Sequence, residues 1–322
     1  MEQQQLSASR VIDVHAHFVP TEYREALVAA GNAFPDGSPI PEWSAQRHIE
    51  LLDELGVTTA MLSASSPGVE VDGRPDYWAR FLNEAGAATR AEHPGRFGWL
   101  ASLPVPDVDA ALGELEYCAE QLRADGFALL TNQRGVYLGD PTLDPVMEEL
   151  DRRRATVFVH PTSPAGCCHV DMGRPAPLLE YLFDTTRAIV NLVLTGTLLR
   201  YPHIKWIVPH NGAALAGVVD RVSLFQREVL HSAAELDIGA ALRGLYYEVG
   251  SSAPFPRTAA AARALTEDDH LVLGTDLPYA PPPAVRDNVT RLLAGEFVAG
   301  TALERLCHGT AEELFPALRE RS

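Results

Sequence analysis

Lysine is almost missing from this 322-residue sequence: of its 26 basic residues only Lys205 is a lysine. That scarcity removes most candidates for Schiff-base or lysine-carbamate chemistry. Positive charge is short as a whole, with 43 acidic residues and a net charge of −17. Nucleic acid and anionic membrane surfaces, which need clustered Lys and Arg, are therefore poor partners. Four cysteines (Cys118, Cys167, Cys168 and Cys307) are too few for a disulfide scaffold. The adjacent pair cannot bridge in ordinary geometry, so reduced thiols are expected. No apolar run approaches the roughly 18 residues of a membrane span. The polar opening MEQQQLSASR leaves no room for a signal peptide, and a cytoplasmic protein is expected. There is no internal repeat and no linker rich in Gly and Ser, so residues 1–322 read as one domain. No G-x-G-x-x-G follows the first apolar run, which leaves a dinucleotide-binding fold little support.

What the chain does have is a succession of short apolar runs: VIDVHAH (11–17), TTAMLSA (58–64), FGWLASL (97–103), GFALLTN (126–132), ATVFVHP (155–161), IKWIVPH (204–210), LYYEVGS (245–251) and HLVLGTD (270–276). Between most of them lie helical patterns, such as 44–56, 76–94 and 107–126, with apolar positions recurring at three and four and closing on Gly or His-Pro. Eight strands with intervening helices is the count of a (β/α)8 barrel, whose catalytic groups sit at the C-terminal ends of its strands. His15 and His17 end the first run, and alternation in a strand turns both to one face, where two imidazoles can share a metal. Taken alone, an H-x-H is as well an ordinary strand end with solvated histidines. Here, however, His160 ends the fifth run, His210 the sixth and Asp276 the eighth, so five metal-binding or acid–base groups gather at the same end of four strands.

The pieces IDVHAHFVP, VFVHPTSP, FDTTRAIVNLVLTGTLLRYPHIKWIVPHNGAALAGVVDRV, LGTDLPYAP and GTAEELF, in this order and across nearly the whole chain, resemble the amidohydrolase superfamily. Within it the chain is similar to the branch containing aminocarboxymuconate-semialdehyde decarboxylase and the hydroxybenzoate decarboxylases. The segments HFVPTEYREALVAAG and PEWSAQRHIELLDELGVTTAMLS look most like 6-methylsalicylate decarboxylases. The resemblance implies an α/β fold, a (β/α)8 TIM barrel of the metal-dependent hydrolase type. It makes His15, His17, His160 and Asp276 the metal ligands and His210 the catalytic acid–base. Three imidazoles and one carboxylate suit zinc, and manganese accepts the same donors. Binuclear relatives carry a bridging carbamylated lysine at the end of strand 4. GFALLTN has none, and Lys205 lies at the far end of strand 6 from His210, so a mononuclear centre is expected. Relatives commonly read H-G-G or H-A-G-G after the strand 6 histidine, whereas this chain reads HNGAALAG.

For substrate contacts, the resemblance places Arg221 where relatives send an arginine across a dimer interface to a substrate carboxylate, which implies a homodimer. As a solvated helix arginine, Arg221 has an equally ordinary structural reading. A second substrate-arginine position falls on His48, which puts the semialdehyde substrate itself in doubt. Phe18, Trp43 and Tyr279, which adjoin predicted strand ends or loops, are candidates to line an aromatic-binding pocket, although apolar loop residues more often just pack. The expected activity is metal-dependent, non-oxidative decarboxylation of a small aromatic or unsaturated carboxylic acid, 6-methylsalicylate or a related ortho-hydroxybenzoate first. His210 would act as orienting acid–base, with Asp276 or a metal-bound water delivering the proton. A metal-dependent hydrolase of a lactone or amide, and a non-catalytic metal-binding barrel, remain as alternatives.

Overall fold

The computed structural model describes residues 10–230, 237–251 and 257–321. Eight strands, β1 (Ile12–His17), β2 (Thr59–Ser63), β3 (Phe97–Ser102), β4 (Gly126–Leu130), β5 (Thr156–His160), β6 (Lys205–Val208), β7 (Tyr246–Val249) and β8 (Leu271–Leu273), form one parallel sheet in chain order. The ring closes where Leu277 pairs with Ala16 and accepts a 2.8 Å hydrogen bond from the His17 N–H. It is a (β/α)8 TIM barrel. Helices including α1 (Thr21–Ala29), α2 (Ala45–Leu55), α3 (Pro75–Glu92), α4 (Val108–Tyr117), α5 (Asp144–Arg152), α6 (Glu180–Leu194), α7 (Leu215–Phe225) and α8 (Pro282–Leu293) cover it. No helix among the described residues is long and apolar enough to cross a membrane.

Local chemistry sets the element ends. Ser44 caps α2 by accepting from the Arg47 N–H, and Gly56 leaves it at a φ of 71°, a left-handed position that suits glycine. Each expected strand contains the observed one, and the sixth and eighth end before the residues that carry their chemistry. β6 stops at Val208 because Pro209 has no N–H to continue the ladder. After β8 the chain turns so that the Asp276 N–H reaches the His15 carbonyl at 2.7 Å. His210 and Asp276 thus sit just beyond their strands, at φ values of 57° and 59°.

Two features inside the barrel position the site. The β1–β2 register slips between Asp13 and Ala16, so β1 carries a bulge. Below it Ile12 and Val14 pack with Phe158, Ile207 and Val272; above it His15 and His17 reach the mouth. Unbroken alternation could not turn both sets inward. Asp13 holds the bulge, fully buried, with one oxygen accepting from the N–H groups of His15 (2.9 Å) and Thr275 (3.0 Å) and the other from the Thr275 hydroxyl (2.5 Å). At the opposite end Leu314, Phe315 and Leu318 plug the barrel floor, with the Thr156 hydroxyl donating to the Leu314 carbonyl at 2.7 Å.

Candidate metal centre at the barrel mouth

His15 and His17 from β1, His160 from the end of β5 and Asp276 from beyond β8 bring one ligand atom each to within 4.8 Å of one another. All three imidazoles are buried. Their tautomers follow from what the far nitrogens meet. His17 Nδ1 faces the Ser63 carbonyl at 3.2 Å, His160 Nδ1 the Pro161 carbonyl at 2.7 Å and His15 Nδ1 the Glu248 carboxylate at 3.1 Å. Acceptors of this kind place the proton on Nδ1 and leave Nε2 as a bare lone pair. Two such lone pairs, His15 Nε2 and His17 Nε2, then stand 3.1 Å apart, with Asp276 Oδ1 at 3.5 and 3.0 Å from them. Lone pairs converging so closely repel unless a cation lies between them. Ligands about 2.0–2.2 Å from a zinc-like ion lie roughly 3.3–3.6 Å from each other in a tetrahedron, within a few tenths of an ångström of these separations. The residues fit a metal.

Electrostatics point the same way. Burial, reinforced by His17, His15 and His210, holds His160 well below its ordinary pKa, keeping it in the neutral form a metal needs. Burial alone would raise Asp276, but His15, His17 and His210 outweigh it and hold the carboxyl well below the usual carboxylate range, while at His15 burial is outweighed by Asp276 and Glu248, which raise its pKa: without a metal the cluster favours a positive charge, which a bound cation would supply.

His210 opens a tight turn, His210–Gly212, and its Nε2 stands 3.7 Å from Asp276 Oδ2. Together with His160 and Asp276 it borders a cavity of about 470 Å³, within the range that suits a small aromatic ligand. Ser65, Ser66, Ser251, Tyr181 and Tyr279 add polar groups to its lining, and Leu178, Leu182, Ala280 and several prolines make up much of the remainder. No arginine or lysine among the described residues lines it. One side is a strap containing Pro35, Ser38, Pro39 and Pro41. Asp36 pins the strap, accepting from the hydroxyls of Ser66, Ser163 and Tyr181, the last at 2.7 Å.

Of the expected substrate contacts Tyr279 lines the cavity, whereas Phe18, Trp43, His48 and Arg221 lie elsewhere. Phe18, Trp43 and His48 form a packed aromatic group outside the cavity lining, with ring centroids 6.1 Å (Phe18–Trp43) and 6.3 Å (Trp43–His48) apart. The Trp43 indole donates to His48 Nδ1 at 3.0 Å, which leaves the proton on Nε2, buried and without a partner among the described residues. Arg221 is exposed on α7, its guanidinium 4.6 Å from the centroid of the Phe225 ring. Sequence reasoning missed Asp13, Asp36 and Glu248. Glu248 on β7 is fully buried, and its sequence neighbourhood YYEV reads as an ordinary strand.

A parallel eight-stranded barrel with a three-histidine, one-carboxylate cluster at its C-terminal mouth defines a metal-dependent barrel enzyme. The chain belongs to the amidohydrolase family, whose model matches residues 12–317. It is 35% identical over 320 residues to the 6-methylsalicylic acid decarboxylase of Penicillium expansum, covering 96% of this chain and 97% of that one. A solved structure described as amidohydrolase II superposes with a TM-score of 0.88 at 32% identity, over 95% of this chain and 99% of its own. The dihydroxybenzoic acid decarboxylase of Polaromonas sp., solved with bound manganese and 2-nitroresorcinol, shares the fold with a TM-score of 0.81 at 22% identity, over 97% and 99% of the two chains.

Proposed function

We propose that this protein is a metal-dependent, non-oxidative decarboxylase of a small aromatic monocarboxylic acid, 6-methylsalicylate or a related ortho-hydroxybenzoate, acting in the cytoplasm. The observation that carries the reading is the cavity itself: metal ligands and His210 on one side, a largely apolar lining of aromatic-acid size, and no cation among the described lining residues for a second carboxylate. Full-length likeness to a 6-methylsalicylic acid decarboxylase supports the choice of substrate. His15, His17, His160 and Asp276 hold the ion, for which zinc is our first assignment and manganese the second. When bound, the metal supplies Lewis acidity to the substrate's carboxylate and ortho-hydroxyl oxygens.

The residues do the rest. The proton reaches the ring carbon that bears the carboxylate from His210 Nε2; Asp276, whose Oδ2 stands 3.7 Å from that nitrogen and which is held anionic, does not deliver it, as the sequence reading had it. Protonation there interrupts aromaticity; breaking the bond to the carboxyl carbon returns the electron pair to the ring and releases carbon dioxide. An apolar wall favours neutral carbon dioxide over the carboxylate anion. Arg221, on an exposed face that also carries Leu224 and Phe225, supports a homodimer, and full activity of a monomer would reject that part.

The test is carbon dioxide release from a panel of hydroxybenzoates led by 6-methylsalicylate, with metal quantified in the same sample. Release should vanish on chelation and return with zinc or manganese. His210→Ala should retain the metal and lose about 10²–10⁴-fold in kcat. A metal-loaded sample that releases no carbon dioxide but opens a lactone would overturn the decarboxylase in favour of a hydrolase.

A further inference from the structure

The barrel mouth holds a buried carboxylate that is neither among the four converging ligands nor part of the cavity lining. Glu248, on β7, is fully buried, and its Oε2 accepts from His15 Nδ1 at 3.1 Å, from the His210 backbone N–H at 2.9 Å and from the Ser251 hydroxyl at 2.7 Å, while Oε1 accepts from the Ser251 N–H at 3.1 Å. One oxygen therefore joins a ligand from strand 1 to the histidine beyond strand 6. The fold makes room for it. A Cβ on Gly274 would fall 2.3 Å from Glu248 Cγ and 2.7 Å from His15 Cβ, so only glycine lets these side chains meet.

What Glu248 grips at the second point needs holding. His210, Asn211, Gly212 and Ala213 have φ values of 57°, 56°, 79° and 54°, a run of left-handed backbone that non-glycine residues adopt at a cost. A charge-assisted bond at the head of this run is an anchor that water could not supply in a buried site. At the first point, a carboxylate on the far nitrogen of a ligating histidine fixes the ring and its tautomer.

We infer that Glu248 is a positioning residue that serves both centres at once, orienting His15 for the metal and holding His210 at the cavity, so that metal affinity and proton transfer depend on one side chain. The second half rests on the decarboxylase reading; the first does not.

Glu248→Gln tests both, because an amide oxygen keeps one neutral acceptor where a shared anion stood. Metal affinity is measured by chelator competition, and kcat and KM are measured for 6-methylsalicylate at saturating metal. We expect binding of zinc weaker by about 10–100-fold, together with a kcat at least about tenfold below the parent even when metal saturates, and KM within about threefold. Recovery of the parental kcat at saturating metal would overturn the coupling and leave only a prop for His15; unchanged metal affinity would overturn the prop. If the amide variant fails to fold, Glu248→Asp, which keeps the charge but withdraws it by one methylene, gives the same two readouts. An inactive parent enzyme would defeat the proposed function instead, and the affinity measurement would still decide the first half.

Discussion

At His48, burial pushes the imidazole down to about 4 from an ordinary 6.5, with His17 contributing. The sign of its effect on stability follows from who binds the proton. Between 6.5 and about 4 the unfolded chain takes up a proton that the folded protein refuses, so stability falls as the pH drops through that window, by about 3 kcal/mol in all. Above 6.5 both states are neutral and His48 contributes no pH dependence. His48→Leu should therefore flatten the acid limb of stability between pH 6.5 and 4, measured by urea unfolding across that range. At neutral pH it should also lower stability, by about 1–3 kcal/mol, because the Trp43 indole loses its acceptor, a deficit that the flattened acid limb offsets as the pH falls towards 4. An unchanged acid limb would show that His48 titrates in the folded protein much as it does in the unfolded chain.

Among the elements, the strap at residues 34–41 shows what the sequence could and could not reveal. The eight strands, their order and the metal-binding residue types were legible, because apolar periodicity and chemistry-bearing side chains at strand ends are local signals. The path of a loop across the mouth is not local. Asp36 fixes it through hydroxyls that lie 30, 127 and 145 residues away, and no spacing rule links those positions. This is why the lining runs through Pro35, Pro39 and Tyr181 beside the expected Tyr279, and not through the aromatic group at Phe18, Trp43 and His48. The bulge in β1 was hidden for the same reason, since Asp13 is answered by Thr275, 262 residues on. Removing the clasp should loosen the wall without touching the chemistry. Asp36→Ala is expected to raise KM for 6-methylsalicylate by about tenfold, change kcat by less than about threefold and narrow the preference against bulkier ring substituents, as uniform binding losses do. A kcat loss with KM unchanged would mean that Asp36 acts on the reacting centre and not on the wall.

For the molecule as a whole, charge sets the terms of substrate entry. The chain carries a net charge of −17, and the cavity lining offers no lysine or arginine among the described residues. An aromatic carboxylate diffusing toward such a body is repelled at distances where individual side chains no longer matter, and attraction begins only near the metal centre. Salt screens the long-range part first, over about 10 Å at 0.1 M, while short contacts inside a buried site are screened much less. Raising ionic strength from about 10 to 150 mM should therefore increase kcat/KM for 6-methylsalicylate, by roughly two- to threefold, and leave kcat unchanged. The measurement also reports on the dimer. If Arg221 of a second copy reaches the substrate carboxylate, a nearby cation opposes the net repulsion, and kcat/KM falls with salt instead. A rise in the parent enzyme thus places recognition with the metal and the apolar wall; a fall that Arg221→Ala reverses would place it at the subunit interface.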